Sequence, residues 1–191
     1  MKRGISVFLL GAWVLGGVSW QALANSPATG EISLKTPPSS VLDGDTFEAD
    51  LDGNGKLDLP TERVRLLYVD TPEIHASNKG LDLRHGLPAK AALAEILARG
   101  PVVLKITPGN ERDLYGRTLA RVYVGTTDVS LELIRQGHSY YMTQYAIPRD
   151  HESFVQAEVE AYDNQRGIWR ETNSRQAYLE RLRKEGRTPE S

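Results

Sequence analysis

The period of apolar and polar positions changes several times along this chain, and each change marks an element. Behind Lys2 and Arg3, residues 5–18 form an almost unbroken apolar run, followed by a small, polar lead at 25–31. Residues 32–42 read as extended, are interrupted at Pro37-Pro38, and run into the turn Asp43-Gly44-Asp45. Thr46-Phe47-Glu48-Ala49 alternates like a half-exposed strand. A loop rich in glycine and aspartate covers 50–61, and RVRLLYV at 63–69 is a strand that is apolar on both faces except for its arginines. After a polar loop over 71–86, Pro88 suits the first turn of a helix whose apolar face is Ala89, Leu93, Ile96 and Leu97, and Gly100-Pro101 stops it. Strands are expected over 102–106 and 119–124, joined by a polar loop at 108–116. Ser130 is placed to cap a short helix ending at Gly137. A longer helix over 150–166 turns Phe154, Ala157 and Ala161 to one side and stops at Gly167. Beyond Trp169 the chain is charged, with one more helix expected around 178–182. No internal repeat is visible.

Three strands, a helix, two strands and then helices predict the α+β class. More narrowly, they predict a five-stranded OB-type Greek-key β-barrel with about three helices. That architecture carries binding modules as well as enzymes, so it assigns no function. With 191 residues the chain has room for one ordinary domain. The expected divisions are a leader at 1–24, a lead and first strand at 25–39, the barrel domain at 40–170, and a charged tail at 171–191.

Composition narrows the chemistry. Cysteine is absent, which excludes a disulfide scaffold, a thiol nucleophile and a cysteine-ligated metal. The basic start, the apolar run and the small residues of Ala22-Leu23-Ala24 form a three-part secretory signal, expected to be cut after Ala24. The run is short for a span of about 20 residues, so no stable membrane anchor is expected. Loss of Lys2 and Arg3 with the leader takes the formal net charge from −2 to −4. A broad basic surface that coats nucleic acid is therefore excluded, though a narrow cleft holding a few arginines is not.

Four short pieces carry chemical groups: Asp43-Gly-Asp45-Thr46, then Arg65, then Asp70-Thr71-Pro72-Glu73, then Asp113-Leu-Tyr115-Gly116-Arg117. Taken singly, each is more often a turn, an ion pair or a solvated loop. A guanidinium among the Val, Leu and Tyr of the third strand is expensive unless it meets an anion. Together the pieces supply what phosphodiester hydrolysis needs. Carboxylate oxygens suit a hard divalent cation, and two planar guanidiniums suit a phosphorus gathering negative charge. A further carboxylate can position or deprotonate water.

These pieces, with RLLYVDTPE, YGRTLA, Leu133-Ile134-Arg135-Gln136-Gly137 and Gly167-Ile168-Trp169, resemble the staphylococcal nuclease (thermonuclease) family from about Ser40 to Trp169. The resemblance implies that Asp45 and Asp70 give carboxylates, and Thr71 its backbone carbonyl, to a calcium ion. Glu73 would act on the attacking water, directly or through its hydrogen bonds. Arg65 would bind the phosphate and stabilise the transition state. Arg117 would do likewise and assist departure of the 5′ oxygen. Tyr115 and Tyr145 would lie beside the bound nucleotide. It further implies a secreted or periplasmic enzyme cleaving DNA and RNA, preferably single-stranded or unwound, with little sequence preference and 3′-phosphate ends; no protein partner is implied. The sequence departs from the best-known member at Leu114, where that protein has a lysine, and at Thr143, where it has a tyrosine. Two rival readings are a non-catalytic OB-fold nucleic-acid-binding module and a phosphodiesterase for small nucleotides.

Asp50-Leu-Asp52-Gly-Asn54-Gly55-Lys56-Leu-Asp58 also matches positions 1, 3, 5, 6 and 9 of a calcium loop of the EF-hand kind. Asp50, Asp52 and Asn54 would supply oxygens, Lys56 its carbonyl and Asp58 a water-mediated contact. Thr61 holds the twelfth position and Glu62 falls one residue late. A solvated turn rich in Asp and Gly is the alternative. His75, His85, His138 and His151 have no metal-ligand spacing among themselves; His138 and His151 are expected at the surface or at a cap.

Overall fold

The computed structural model describes residues 30–74, 82–145 and 147–186. The leader, His75 and the last five residues lie outside the described residues.

The extended segment before Asp43 is two short strands, β1 (Glu31–Ser33) and β2 (Ser40–Val41), separated at the two prolines. Then come β3 (Thr46–Glu48), β4 (Arg63–Leu66), β5 (Val69–Asp70), α1 (Asp82–Leu97), β6 (Val102–Lys105), β7 (Thr118–Val124) and β8 (Thr127–Asp128). The chain ends with α2 (Val129–Arg135), β9 (Tyr140–Tyr141), α3 (His151–Asp163), a 3₁₀ turn at Gly167–Arg170 and α4 (Thr172–Lys184). The main sheet runs β1-β6-β7-β4-β3-β2. Its central strand β7 serves two neighbours. Thr118–Ala120 pair in parallel with Val64–Leu66, and Arg121–Val124 pair antiparallel with Val102–Lys105. The OB-type plan and the α+β class hold. Among the described residues, however, no hydrogen bonds join β1 to β2, so the strip does not close into a complete ring.

Phe47, Leu66, Leu104 and Leu119 of the sheet pack with Leu93 and Ile96 of α1, all fully buried. The strand read over 63–69 breaks at the turn after Leu66 into β4 and β5, and β5 pairs with β9 in a separate two-stranded sheet. Three further elements differ from the sequence pattern. α1 begins six residues before Pro88, so that proline stands inside the helix and removes one backbone donor there. α2 is capped by Asp128, whose side chain accepts from Leu131 N at 3.0 Å, while Ser130 is buried within the first turn. The described part of the charged tail forms a helix of 13 residues, Thr172–Lys184. Its Tyr178 and Leu182 cover the buried Trp169, and Arg181 donates to the Tyr141 carbonyl and to the buried Glu158.

Candidate active site

β4 and the turn after it bring the first set of groups together. Arg65 leaves the strand on its polar parity and is only 8% exposed. Its Nη1 donates to the carbonyls of Leu66 and Val69 at 3.1 and 2.9 Å, bracing the turn in which Tyr68 takes a φ of 72°. The same guanidinium lies 3.2 Å from Asp45 Oδ2 and 3.2 Å from Asp70 Oδ1. Asp45 is buried and fixed on every side: Oδ1 accepts from the Thr46 hydroxyl, and Oδ2 from both the N–H and the hydroxyl of Thr71. Asp45, Arg65, Asp70 and Thr71 thus form one cluster, drawn from two loops 25 residues apart in sequence.

Close backbone approach holds those loops. A Cβ at Gly44 would lie 2.6 Å from the Ala89 methyl and 2.7 Å from the Thr71 hydroxyl, so glycine lets α1 sit directly on the Asp43–Asp45 turn. Gly86 does the same for the other loop, where a Cβ would lie 2.5 Å from the Glu73 carbonyl.

Beside the cluster opens a cleft of about 420 Å³ lined by Leu42, Asp43, Thr46, Pro60, Arg63, Glu73, Tyr115 and Arg117. Glu73 is exposed into it. Arg117 is oriented by Asp113, whose Oδ2 accepts from Arg117 Nε at 2.6 Å and whose Oδ1 accepts from the N–H groups of Tyr115 and Arg117. The Arg117 guanidinium lies 5.4 Å from the Tyr115 ring centre. Arg112 ties this loop to the rest of the wall by donating to the carbonyls of Thr61 and Gly116. Tyr145 is not among the cleft residues. Its ring packs against the core, and its carbonyl accepts from Asn110 at the base of the Tyr115 loop. Leu114 is fully exposed.

Carboxylates are crowded here, and their proton affinities report it. Burial, then the Asp45 charge, pushes the Asp43 carboxyl up to about 6. Burial also raises Asp70; Arg65 opposes that shift and Asp45 adds to it. Asp45 and Asp70 share the Arg65 guanidinium, Asp43 stands next to Asp45, and all three offer hard oxygen. A divalent cation fits this donor set, since it would relieve the repulsion without the desolvation that a second buried side-chain cation requires.

Residues 63–171 match the family model described as Staphylococcal nuclease homologue. The chain belongs to the staphylococcal nuclease family. Among curated relatives it is 34% identical over 131 residues to a thermonuclease of Staphylococcus intermedius, covering 68% of this chain and 72% of that protein. It is 31% identical over 130 residues to the SPbeta prophage-derived endonuclease YokF of Bacillus subtilis (strain 168), covering 68% of this chain and 42% of the relative. It is 28% identical over 155 residues to endonuclease YhcR of the same organism, covering 78% of this chain and 12% of the relative. The chain thus spans less than half the length of these two Bacillus proteins.

The 50–62 loop of this staphylococcal nuclease family member departs from its sequence reading at Glu62 and at Asn54. Carboxylate oxygens of Asp50, Asp52 and Glu62 lie within 4.8 Å of one another, so the acid that falls one residue late joins the group. Glu62 is buried and accepts from the N–H groups of Leu51, Asp52 and Asp58. Asn54 turns its amide N–H toward Asp52 and Asp58, and its oxygen accepts from the Lys56 N–H. Among the histidines, His138 is half-buried rather than at the surface, and burial, followed by the His85 charge, lowers its pKa. His151 bonds the Tyr141 hydroxyl at 2.6 Å, and His85 bonds Glu171 at 3.2 Å.

Proposed function

We propose that this chain is a secreted, calcium-dependent nuclease that hydrolyses phosphodiester bonds of DNA and RNA with little sequence specificity and leaves 3′-phosphate ends. The observation that carries the reading is the cluster of buried Asp45, Arg65 and Thr71 with the exposed Asp70 at its edge, set against a cleft that holds Glu73, Tyr115 and Arg117. A pure binding module has no use for that mixture.

Asp45 and Asp70, with the Thr71 carbonyl, would hold calcium, which when bound supplies Lewis-acid polarisation of a phosphate oxygen. Arg65, whose guanidinium is oriented by the Leu66 and Val69 carbonyls and by Asp45 and Asp70, would bind the phosphate. Glu73 orients the attacking water and takes up its proton. The water oxygen bonds to phosphorus as the P–O5′ bond breaks. Arg117, held at a set angle by Asp113, stabilises the charge growing on the equatorial oxygens and on the departing 5′ oxygen. Tyr115 flanks the nucleotide at the cleft mouth, and Tyr145 supports it from the neighbouring loop. Because these groups are oriented before substrate arrives, little reorganisation is left for the reaction itself.

The test is digestion of heat-denatured DNA with calcium, with EDTA, and by the Arg117→Ala chain. Activity is expected to vanish in EDTA and to fall ~10³-fold or more in Arg117→Ala without a change in folding. Activity that survives either treatment contradicts the mechanism. A time course on long DNA against a dinucleotide separates this reading from a small-nucleotide phosphodiesterase.

The 50–62 loop belongs to the same proposal as a second, structural calcium site, held by Asp50, Asp52 and Glu62 and steadying the start of β4. Calcium is then expected to raise the melting temperature of an Asp45→Ala chain as well, and no shift there removes the second ion. Export follows from residues 1–24, and a mature product beginning at Asn25 would support it.

A further inference from the structure

β4 carries two arginines two residues apart, so both side chains leave the same face of the strand, about 6.6 Å from one another along it. Arg65, 8% exposed, lies in the Asp45–Asp70 cluster and is not among the residues that line the cleft. Arg63 instead lines the open cleft with Glu73, Tyr115 and Arg117. Its Nε and Nη2 both donate to Oε1 of Glu48, at 3.1 and 2.6 Å, across a register that sets the two residues opposite each other. Glu48 is held in turn by the Ser40 hydroxyl at 2.9 Å. The pair is lopsided: the Glu48 side chain is 12% exposed and that of Arg63 35%. The anion is anchored in the wall while the cation faces the cleft. Among the described residues nothing accepts from Arg63 Nη1. A half-open ion pair contributes at most about 1 kcal/mol to folding, so stability is a weak reason for this arrangement. Beside Tyr115, meanwhile, Leu114 projects fully exposed, and the cation at that ring is Arg117, which the proposed mechanism uses at the scissile phosphate.

Resting on the nuclease reading above, we propose that Arg63 is a phosphate-binding residue for a nucleotide that flanks the scissile bond. Its open edge presents N–H donors in the fork that matches two phosphate oxygens. Glu48 holds the guanidinium in orientation and tempers its charge. The site therefore binds a strand rather than one phosphodiester, and Arg63 supplies part of the grip that an acidic chain otherwise lacks.

The experiment compares kcat/KM on long single-stranded DNA with kcat/KM on a nucleoside p-nitrophenyl phosphodiester, which has no flanking phosphate. It uses the full chain, Arg63→Gln, Arg63→Lys and Glu48→Gln, with the melting temperature of each. Arg63→Gln is expected to lower the ratio of long to small substrate about tenfold. The slope of log KM for DNA against log salt should become shallower by about 0.7, the value for one phosphate contact on a single strand. Arg63→Lys should restore most of the salt slope but only part of the ratio. Glu48→Gln should lower KM for DNA and steepen the slope. Equal losses on both substrates, or a lower melting temperature with the ratio intact, would make Arg63 a strut and overturn the proposal. A wild-type chain that cuts neither substrate would instead remove the nuclease reading on which the proposal rests.

Discussion

The Asp45 carboxylate accepts three hydrogen bonds, from Thr46 and twice from Thr71, and lies 3.2 Å from the Arg65 guanidinium, and this satisfaction lets it stay buried beside Asp43 and Asp70. Most of the proposed machinery was legible as short local strings, because DGDT, DTPE and YGR each place their functional groups within one turn. Three residues were in view in the sequence without the role the fold gives them, for the opposite reason. Asp43 matters through the burial it shares with Asp45, Asp113 through its grip on Arg117, and Glu62 through backbone N–H groups that converge only once the loop has folded. A single-residue consequence concerns His138. Burial lowers its pKa from the usual 6.5, so the folded state disfavours the protonated ring. The stabilisation is complete above about pH 6.5 and declines as pH falls through that value toward the folded pKa. Wild-type melting temperature should therefore drop between pH 7 and pH 5 by more than that of His138→Gln; equal drops would contradict the assignment.

At the scale of elements, α1 is the clamp. It touches the Asp43–Asp45 turn through Ala89 on Gly44 and the Glu73 backbone through Gly86, which joins two loops that sequence alone leaves independent. Its early start was hidden because Pro88 looks like a first-turn residue, although a helix braced by neighbours can tolerate the missing donor. α4 was hidden for another reason: its few apolar residues gain meaning only against Trp169, which they cover. The two helix stops, Gly137 and Gly167, were legible as stops but not as partners. Ile168 N donates to the Gly137 carbonyl at 2.9 Å, and a Cβ on Gly137 would run into the Arg166 backbone, at a φ of 76° that side chains avoid. Gly137→Ala should destabilise the chain by about 2 kcal/mol in urea unfolding. No measurable change would mean that α2 and α3 are not locked at this point.

For the molecule as a whole, charge is segregated rather than abundant. A net charge of −2 gives no long-range attraction to polyphosphate, so on the proposed reading recognition would come from the arginines at one cleft and from a cation held by the acids. The barrel explains how residues as distant as Asp45, Asp70 and Arg117 come near one another: β7 pairs with β4 at one end and β6 at the other, carrying the Arg117 loop to the strand that bears Arg65. The succession of strands and helices along the chain was legible, but the gap between β1 and β2 depends on a short, proline-split first segment whose pairing no local pattern specifies. The most direct test of the account is the calcium dependence of DNA cleavage by the wild-type chain and by Asp70→Asn, whose 56% exposed side chain can change with little harm to folding. The account expects saturation by calcium in both, with Asp70→Asn needing about tenfold more ion or beyond. Half-saturation at the same calcium concentration in the two chains would contradict it.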